Sequence, residues 1–158
     1  EVITPDGWFR TGDLGTCDRH NCYKITGRCK NVIVTKNGKN IFPEEVELYL
    51  NTNPVIEESI VYADDVDDET LVSVQIYPNY EQIKNNLKRQ DITKEDVQKS
   101  VEEAVKDVNK KLPKYKKIRN IEISEQEFEK TTTKKIKRHA NLKNKKENTE
   151  TTKVEIEE

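Results

Sequence analysis

The stretch over residues 93–112 constrains the fold more than any other. Val97, Val101, Ala104, Val105, Val108 and Leu112 recur at three- and four-residue spacing, which lays them along one face of an α-helix. Thr93 stands where a side-chain oxygen can cap the first turn, and Asp96 follows three residues later. Ile92 and Val97 have the spacing of a hydrophobic staple. Pro113 cannot continue the helix. An apolar stripe of this kind needs an apolar partner, and strand-like runs supply one. Within 71–77, Val72, Val74 and Ile76 fall on one face and Ser73 and Gln75 on the other. A second strand is expected over 58–63 and a third over 118–124.

A shorter helix is expected to start at Pro43, whose missing N–H would be unpaired there in any case. Glu44, Glu45 and Glu47 put negative charge at the positive end of its dipole. Ile41 and Val46 form a second staple, and residues 51–54 end the element. Ahead of it come the short apolar run Val32-Ile33-Val34 and the turn at Asn37-Gly38. The order strand, helix, strand, strand, helix, strand predicts a small α+β domain, a short β-sheet flanked by helices. Before residue 30 the chain reads as β-like runs and turns, with Pro5-Asp6-Gly7 as a turn and residues 18–21 as a hairpin tip.

The chain is 32% apolar and 37% charged, against roughly 45–50% and about 25% in ordinary globular chains. The core is therefore thin, but its apolar residues are clustered, which argues against global disorder. A net charge of -2 points to neither nucleic acid nor membrane. No run approaches the ~20 apolar residues that span a bilayer, and no signal-peptide pattern is present. The chain has no Met and begins at Glu1, so a piece of a longer protein is expected. Three cysteines without framework spacing suit a reducing compartment. The cytosol is the default, with any membrane association left to the part of the protein outside this chain.

Several local features have simple explanations. The acidic run 64–69 reads as a solvated hairpin loop; it lacks the central Gly and the bidentate Glu of a calcium loop. Cys17, His20, Cys22 and Cys29 lack the paired knuckle of a structural zinc site. Between Lys130 and Lys146 stand eight Lys or Arg and no acid, which on charge alone reads as a solvated face or a nucleic-acid patch. The stacking aromatics that single strands require are missing there. Taken alone, Asp13 is a turn aspartate after Gly12. Residues 147–158 carry no core pattern and are expected to fray.

Three segments carry a family resemblance. Gly7-Trp8-Phe9-Arg10-Thr11-Gly12-Asp13-Leu14 resembles the "W-(F/Y)-x-T-G-D" motif of adenylate-forming enzymes, the acyl-CoA synthetase and luciferase superfamily. Thr26-Gly27-Arg28-Cys29-Lys30-Asn31-Val32-Ile33-Val34, continuing through Gly38-Lys39-Asn40-Ile41-Phe42-Pro43-Glu44-Glu45-Val46-Glu47, is similar to that family's hinge motif, and its second half to long-chain fatty acyl-CoA ligases. Lys130-Thr131-Thr132-Thr133-Lys134-Lys135-Ile136-Lys137-Arg138 is similar to the terminal "K-T-x-T-G-K-I-x-R" motif. The family's glycine is Lys134 here.

The resemblance implies an organisation and a set of roles. Residues 1–29 would end a large ATP-binding domain, residue 30 would be the hinge, 31–145 a C-terminal lid, and 146–158 a tail. Asp13 would accept hydrogen bonds from the ATP ribose, because a carboxylate is acceptor-only and takes two donors at once. Arg28 would also reach the nucleotide, Lys30 would be the pivot, and Gly38 would lie near the coenzyme A pantetheine arm. Lys135 would be the catalytic lysine, its ammonium placed where the α-phosphate meets the acyl carboxylate. ATP, Mg2+, coenzyme A, a fatty acid and the protein's own N-terminal domain are the implied cofactors and partners, with no nucleic acid among them. A carrier-protein pantetheine in place of free coenzyme A, and a basic nucleic-acid-binding module, are the alternatives.

Overall fold

The computed structural model describes residues 2–66, 69–147 and 153–155. The polypeptide opens with a hairpin, β1 (Asp13–Cys17) against β2 (Tyr23–Arg28). Asp18 organises its tip by accepting the His20 and Cys22 N–H groups at 2.8 and 3.0 Å, the local bonding that suits Asp to turns. A single 3-10 turn over Cys29–Asn31 leads into a second, two-residue hairpin, β3 (Ile33–Val34) with β4 (Asn40–Ile41). Helix α1 (Pro43–Leu50) then packs on β5 (Ile56–Val66), which runs antiparallel to β6 (Glu69–Pro78). Helices α2 (Tyr80–Leu87) and α3 (Lys94–Lys111) carry the chain back to β7 (Ile118–Ile123), which lies parallel to β6. Helix α4 (Arg138–Glu147) and β8 (Lys153–Glu155) close the order, and the main sheet reads β5-β6-β7-β8.

The predicted stripe is the core. Val97, Val101, Ala104, Val105 and Val108 of α3 pack with Val72, Val74 and Ile76 of β6 and with Val46 and Leu50 of α1. Burial of each such Val, Leu or Ile stabilises the fold by roughly 1.5–3 kcal/mol. Thr93 and Asp96 form the expected reciprocal capping box, and Ile41 and Val46 are both fully buried. The other face of the sheet carries Glu58, Tyr62, Ser73, Gln75 and Glu122 by strand alternation. The segment after β7 covers it, with Lys130 pairing with Glu58 at 2.5 Å.

The structure departs from expectation in four places. The acidic run 64–69 is largely ladder rather than loop, because Asp64 and Asp65 register with Leu71 and Thr70; Asp67 and Asp68 lie outside the described residues. Helix α2 goes unannounced in the sequence because it is two turns long and fully buries only Ile83. Helix α4 is masked by its own charge. In the segment expected to fray, Glu147 ends α4, and Lys153–Glu155 pairs antiparallel with β7; residues 148–152 and 156–158 lie outside the described residues. Among the described residues no helix is long and apolar enough to cross a membrane.

Candidate functional site

Asp13 and Arg28 are brought together by a one-residue irregularity. From Cys17↔Tyr23 to Gly15↔Ile25 the hairpin keeps simple register; Leu14 then faces Gly27 and Asp13 faces Arg28. Thr26 is the extra residue, a β-bulge, and its hydroxyl donates to the Leu14 carbonyl at 3.2 Å. Without the bulge Asp13 would oppose Gly27, and Arg28 would lose its partner. With it, Arg28 Nε lies 3.2 Å from Asp13 Oδ1. The Asp13 N–H is in turn held by the Thr11 hydroxyl at 3.1 Å. The guanidinium is mostly exposed, so the pair is an orienting contact more than a stabilising one.

Immediately beyond, the Cys29 N–H donates to the Gly12 carbonyl at 2.9 Å, tying the 3-10 turn that holds Lys30 to the start of the hairpin. Gly38 closes the β3–β4 loop at φ 70°, donating to the Thr35 carbonyl at 2.8 Å. That left-handed conformation suits glycine and leaves its Cα side open.

Lys135 sits in a tight loop whose base is the bridge between Lys130 and Ile136. Its backbone is fixed from both sides: Thr131 N–H donates to the Lys135 carbonyl at 2.8 Å, and Lys135 N–H donates to the Thr131 hydroxyl at 3.2 Å. The side chain is exposed, and among the described residues no carboxylate stands within ion-pair distance of it. Its neighbours are different. Lys130 pairs with Glu58 and Glu127, and those bonds, Glu127 first, hold its ammonium pKa above the usual lysine range. Lys137 lies 3.7 Å from Glu129. Arg138 bonds the Val61 carbonyl at 2.6 Å and Glu47 at 2.8 Å. A basic run read as one charged face is therefore divided: Lys130, Lys137 and Arg138 anchor the loop, and Lys135 stands clear of them.

Lys134 adopts φ 59°, the left-handed conformation that a side chain makes costly by roughly 1–2 kcal/mol. The family glycine therefore marks a backbone requirement that this chain meets with lysine. Lys134→Gly is expected to raise stability by about 1 kcal/mol, or about 3 °C in Tm. Thermal unfolding checks it; an unchanged or lower midpoint would contradict the strain.

Residues outside the sequence prediction complete the site. Glu44, Glu45 and Glu47 do more than favour the α1 dipole. Glu45 pairs with the buried Lys116 at 2.7 Å. Glu44 accepts from Asn31 Nδ2 at 2.5 Å and lies 3.9 Å from Arg138. Glu47 takes Arg138 and the Val61 N–H, the latter at 2.7 Å. Burial pushes the Glu47 carboxyl pKa up, while Arg138 and the Val61 N–H pull it down. Gly27 makes room for this group: a Cβ there would stand 2.8 Å from Glu44 Oε2. The signal available in the sequence was three glutamates in one turn and a lone arginine far downstream, with nothing to say that they meet. Among the described residues no three His, Cys, Asp or Glu side chains converge to hold a metal ion.

Known proteins match parts of this chain. A long-chain-fatty-acid–CoA ligase of Mycobacterium tuberculosis is 48% identical over 59 residues, 37% of this chain and 10% of that protein. A nonribosomal peptide synthetase of Aspergillus terreus is 49% identical over 55 residues, 34% of this chain and 6% of that protein. The chain thus spans about a tenth or less of the length of these curated relatives. Among solved structures, the adenylation domain of a carboxylate reductase from Mycobacterium chelonae superposes with a TM-score of 0.76 at 18% identity, over 92% of this chain and 23% of that one. The family model of the AMP-binding enzyme C-terminal domain matches residues 30–152. The chain belongs to the AMP-binding enzyme C-terminal domain family.

Proposed function

We propose that this chain is the mobile lid, with the adjoining end of the large domain, of an ATP-dependent fatty acid–CoA ligase. The observation that carries the reading is the state of Lys135: exposed and clear of carboxylates among the described residues, on a loop anchored by Lys130, Lys137 and Arg138. An ammonium so presented can enter a second domain's site and stand between two anions. In the first half-reaction the fatty acid carboxylate attacks the α-phosphate of ATP, giving acyl-adenylate and pyrophosphate. Lys135 offsets the repulsion of the reacting groups and the charge that builds in the transition state. Asp13, oriented by Arg28, accepts the ribose hydroxyls. In the second, the coenzyme A thiol displaces AMP, with Gly38 bordering the pantetheine arm after the lid turns about Lys30. Mg2+ would accompany the ATP phosphates.

The nonribosomal peptide synthetase relative supports a second acceptor, a pantetheine on a carrier protein. Turnover of the full-length protein with free coenzyme A against a phosphopantetheinylated carrier separates the two readings. The isolated chain is expected to be silent, because on this reading the phosphate-cradling loop and the acyl pocket belong to the large domain, and without them the reactants are not positioned. Pyrophosphate release from ATP, fatty acid and coenzyme A is the measurement; clear turnover by this chain alone would sink the lid reading.

A further inference from the structure

We propose that Arg138 is a positioning residue for Lys135, seating the lysine loop on the hinge-side helix so that loop and hinge move as one body. The proposal rests on the reading of Lys135 as the adenylation lysine and adds a residue to it. Arg138 stands three positions after Lys135, at the first turn of α4. Its guanidinium reaches out of its own segment: Nη1 donates to the Val61 carbonyl of β5 at 2.6 Å, and Nη2 donates to Glu47 of α1 at 2.8 Å. It is 19% exposed and Glu47 13%, so the pair is screened from water far better than Asp13 and Arg28. A planar fork that bonds a carbonyl and a carboxylate together fixes direction as well as distance, which a lysine in its place would not.

The same carboxylate cluster reaches the hinge. Glu44, one turn before Glu47, holds Asn31 Nδ2 at 2.5 Å, and Asn31 is the residue after Lys30. Contacts thus run from the residue beside the pivot to the lysine loop, Asn31 to Glu44 to Arg138, and the backbone carries them the three positions from Arg138 to Lys135. Lys130 secures the other end of the loop on Glu58. Misplacement of the ammonium by about 1 Å is enough to cost on the order of 10²-fold in rate.

The test compares Arg138→Met in the full-length enzyme and in the same enzyme carrying Lys135→Ala, reading pyrophosphate exchange for adenylation. In the Lys135 enzyme, Arg138→Met should lower kcat by on the order of 10²-fold with the ATP KM nearly unchanged. In the Lys135→Ala enzyme it should have little further effect, because the group it positions is gone. Arg138→Lys keeps charge but not the fork; it should show the same pattern in milder form, and it replaces the methionine variant if that one is insoluble. Equal fold losses in both backgrounds would overturn the proposal and leave Arg138 a stabilising residue only. Full activity of Lys135→Ala on its own would overturn the lysine assignment and the proposal with it. Glu47→Gln, measured alongside, should reproduce part of the Arg138 effect; no effect there would remove the seat on α1.

Discussion

If the proposed ligase reading holds, Lys135→Ala in the full-length protein is expected to lower adenylate formation by about 10²–10³-fold, the usual consequence of removing one group aimed at developing charge. Thioester formation from supplied acyl-adenylate and coenzyme A should stay near the unmodified rate. The asymmetry follows from where charge accumulates. Two anions meet only in the first half-reaction, and only there does an ammonium between them change the barrier. The structure supplies the other half of the argument. Lys135 has no carboxylate partner among the described residues, so alanine leaves no buried acid unpaired. Its backbone is held by Thr131 independently of the side chain. Loss of activity is therefore not to be confused with loss of fold, and Tm should move by less than about 1 kcal/mol equivalent, as for other surface substitutions. Equal loss in both half-reactions would make Lys135 structural, or move the assignment to Lys134.

What the sequence disclosed was whatever has a local signature. The α3 stripe, its Thr93 cap and the Ile41 and Val46 staple are periodicities and spacings, and each appears where expected. Motif wording names Asp13, Arg28, Gly38 and Lys135 as candidates, and the structure describes their surroundings without testing those roles. What stayed hidden depends on distant partners. Arg138 and Glu47 are 91 positions apart, and no local rule pairs them. Asp13 and Arg28 face each other only because Thr26 adds a bulge, and a bulge without a glycine at its extra residue leaves little trace in one sequence. Helix α2 has only a weak local mark: Asn79 caps it by accepting from the Gln82 N–H, and an N-cap residue with Gln three positions on is too common to announce two turns of helix by itself. Lys134 shows the opposite case, in which the family pattern taught more than the residue. A glycine position can be recognised by its φ even when glycine is gone.

Lys30→Pro should divide the half-reactions the other way: adenylate formation survives while thioester formation collapses. A lid that swings as a rigid body concentrates its φ/ψ change in a few residues at the junction. Lys30 lies in the 3-10 turn Cys29–Asn31, between the end of β2 and the start of β3. Proline fixes φ near -65°, inside the range of a 3-10 turn. The early N–H groups of such a turn have no partner within it, so the ring removes no intrahelical bond at that position. Proline also disfavours helical backbone at Cys29, the first residue of that turn, so it restricts the junction at some cost to the turn itself. The Cys29 N–H bond to Gly12 and the Asn31 bond to Glu44 flank the pivot and hold it in one setting. A variant able to keep only one setting performs only the chemistry which that setting serves. Pyrophosphate exchange reads the first step, and acyl-adenylate plus coenzyme A reads the second. Normal thioester formation would show that Lys30 is not the pivot. Equal loss of both steps would show that the junction has been broken rather than locked, and would contradict the hinge assignment as it stands.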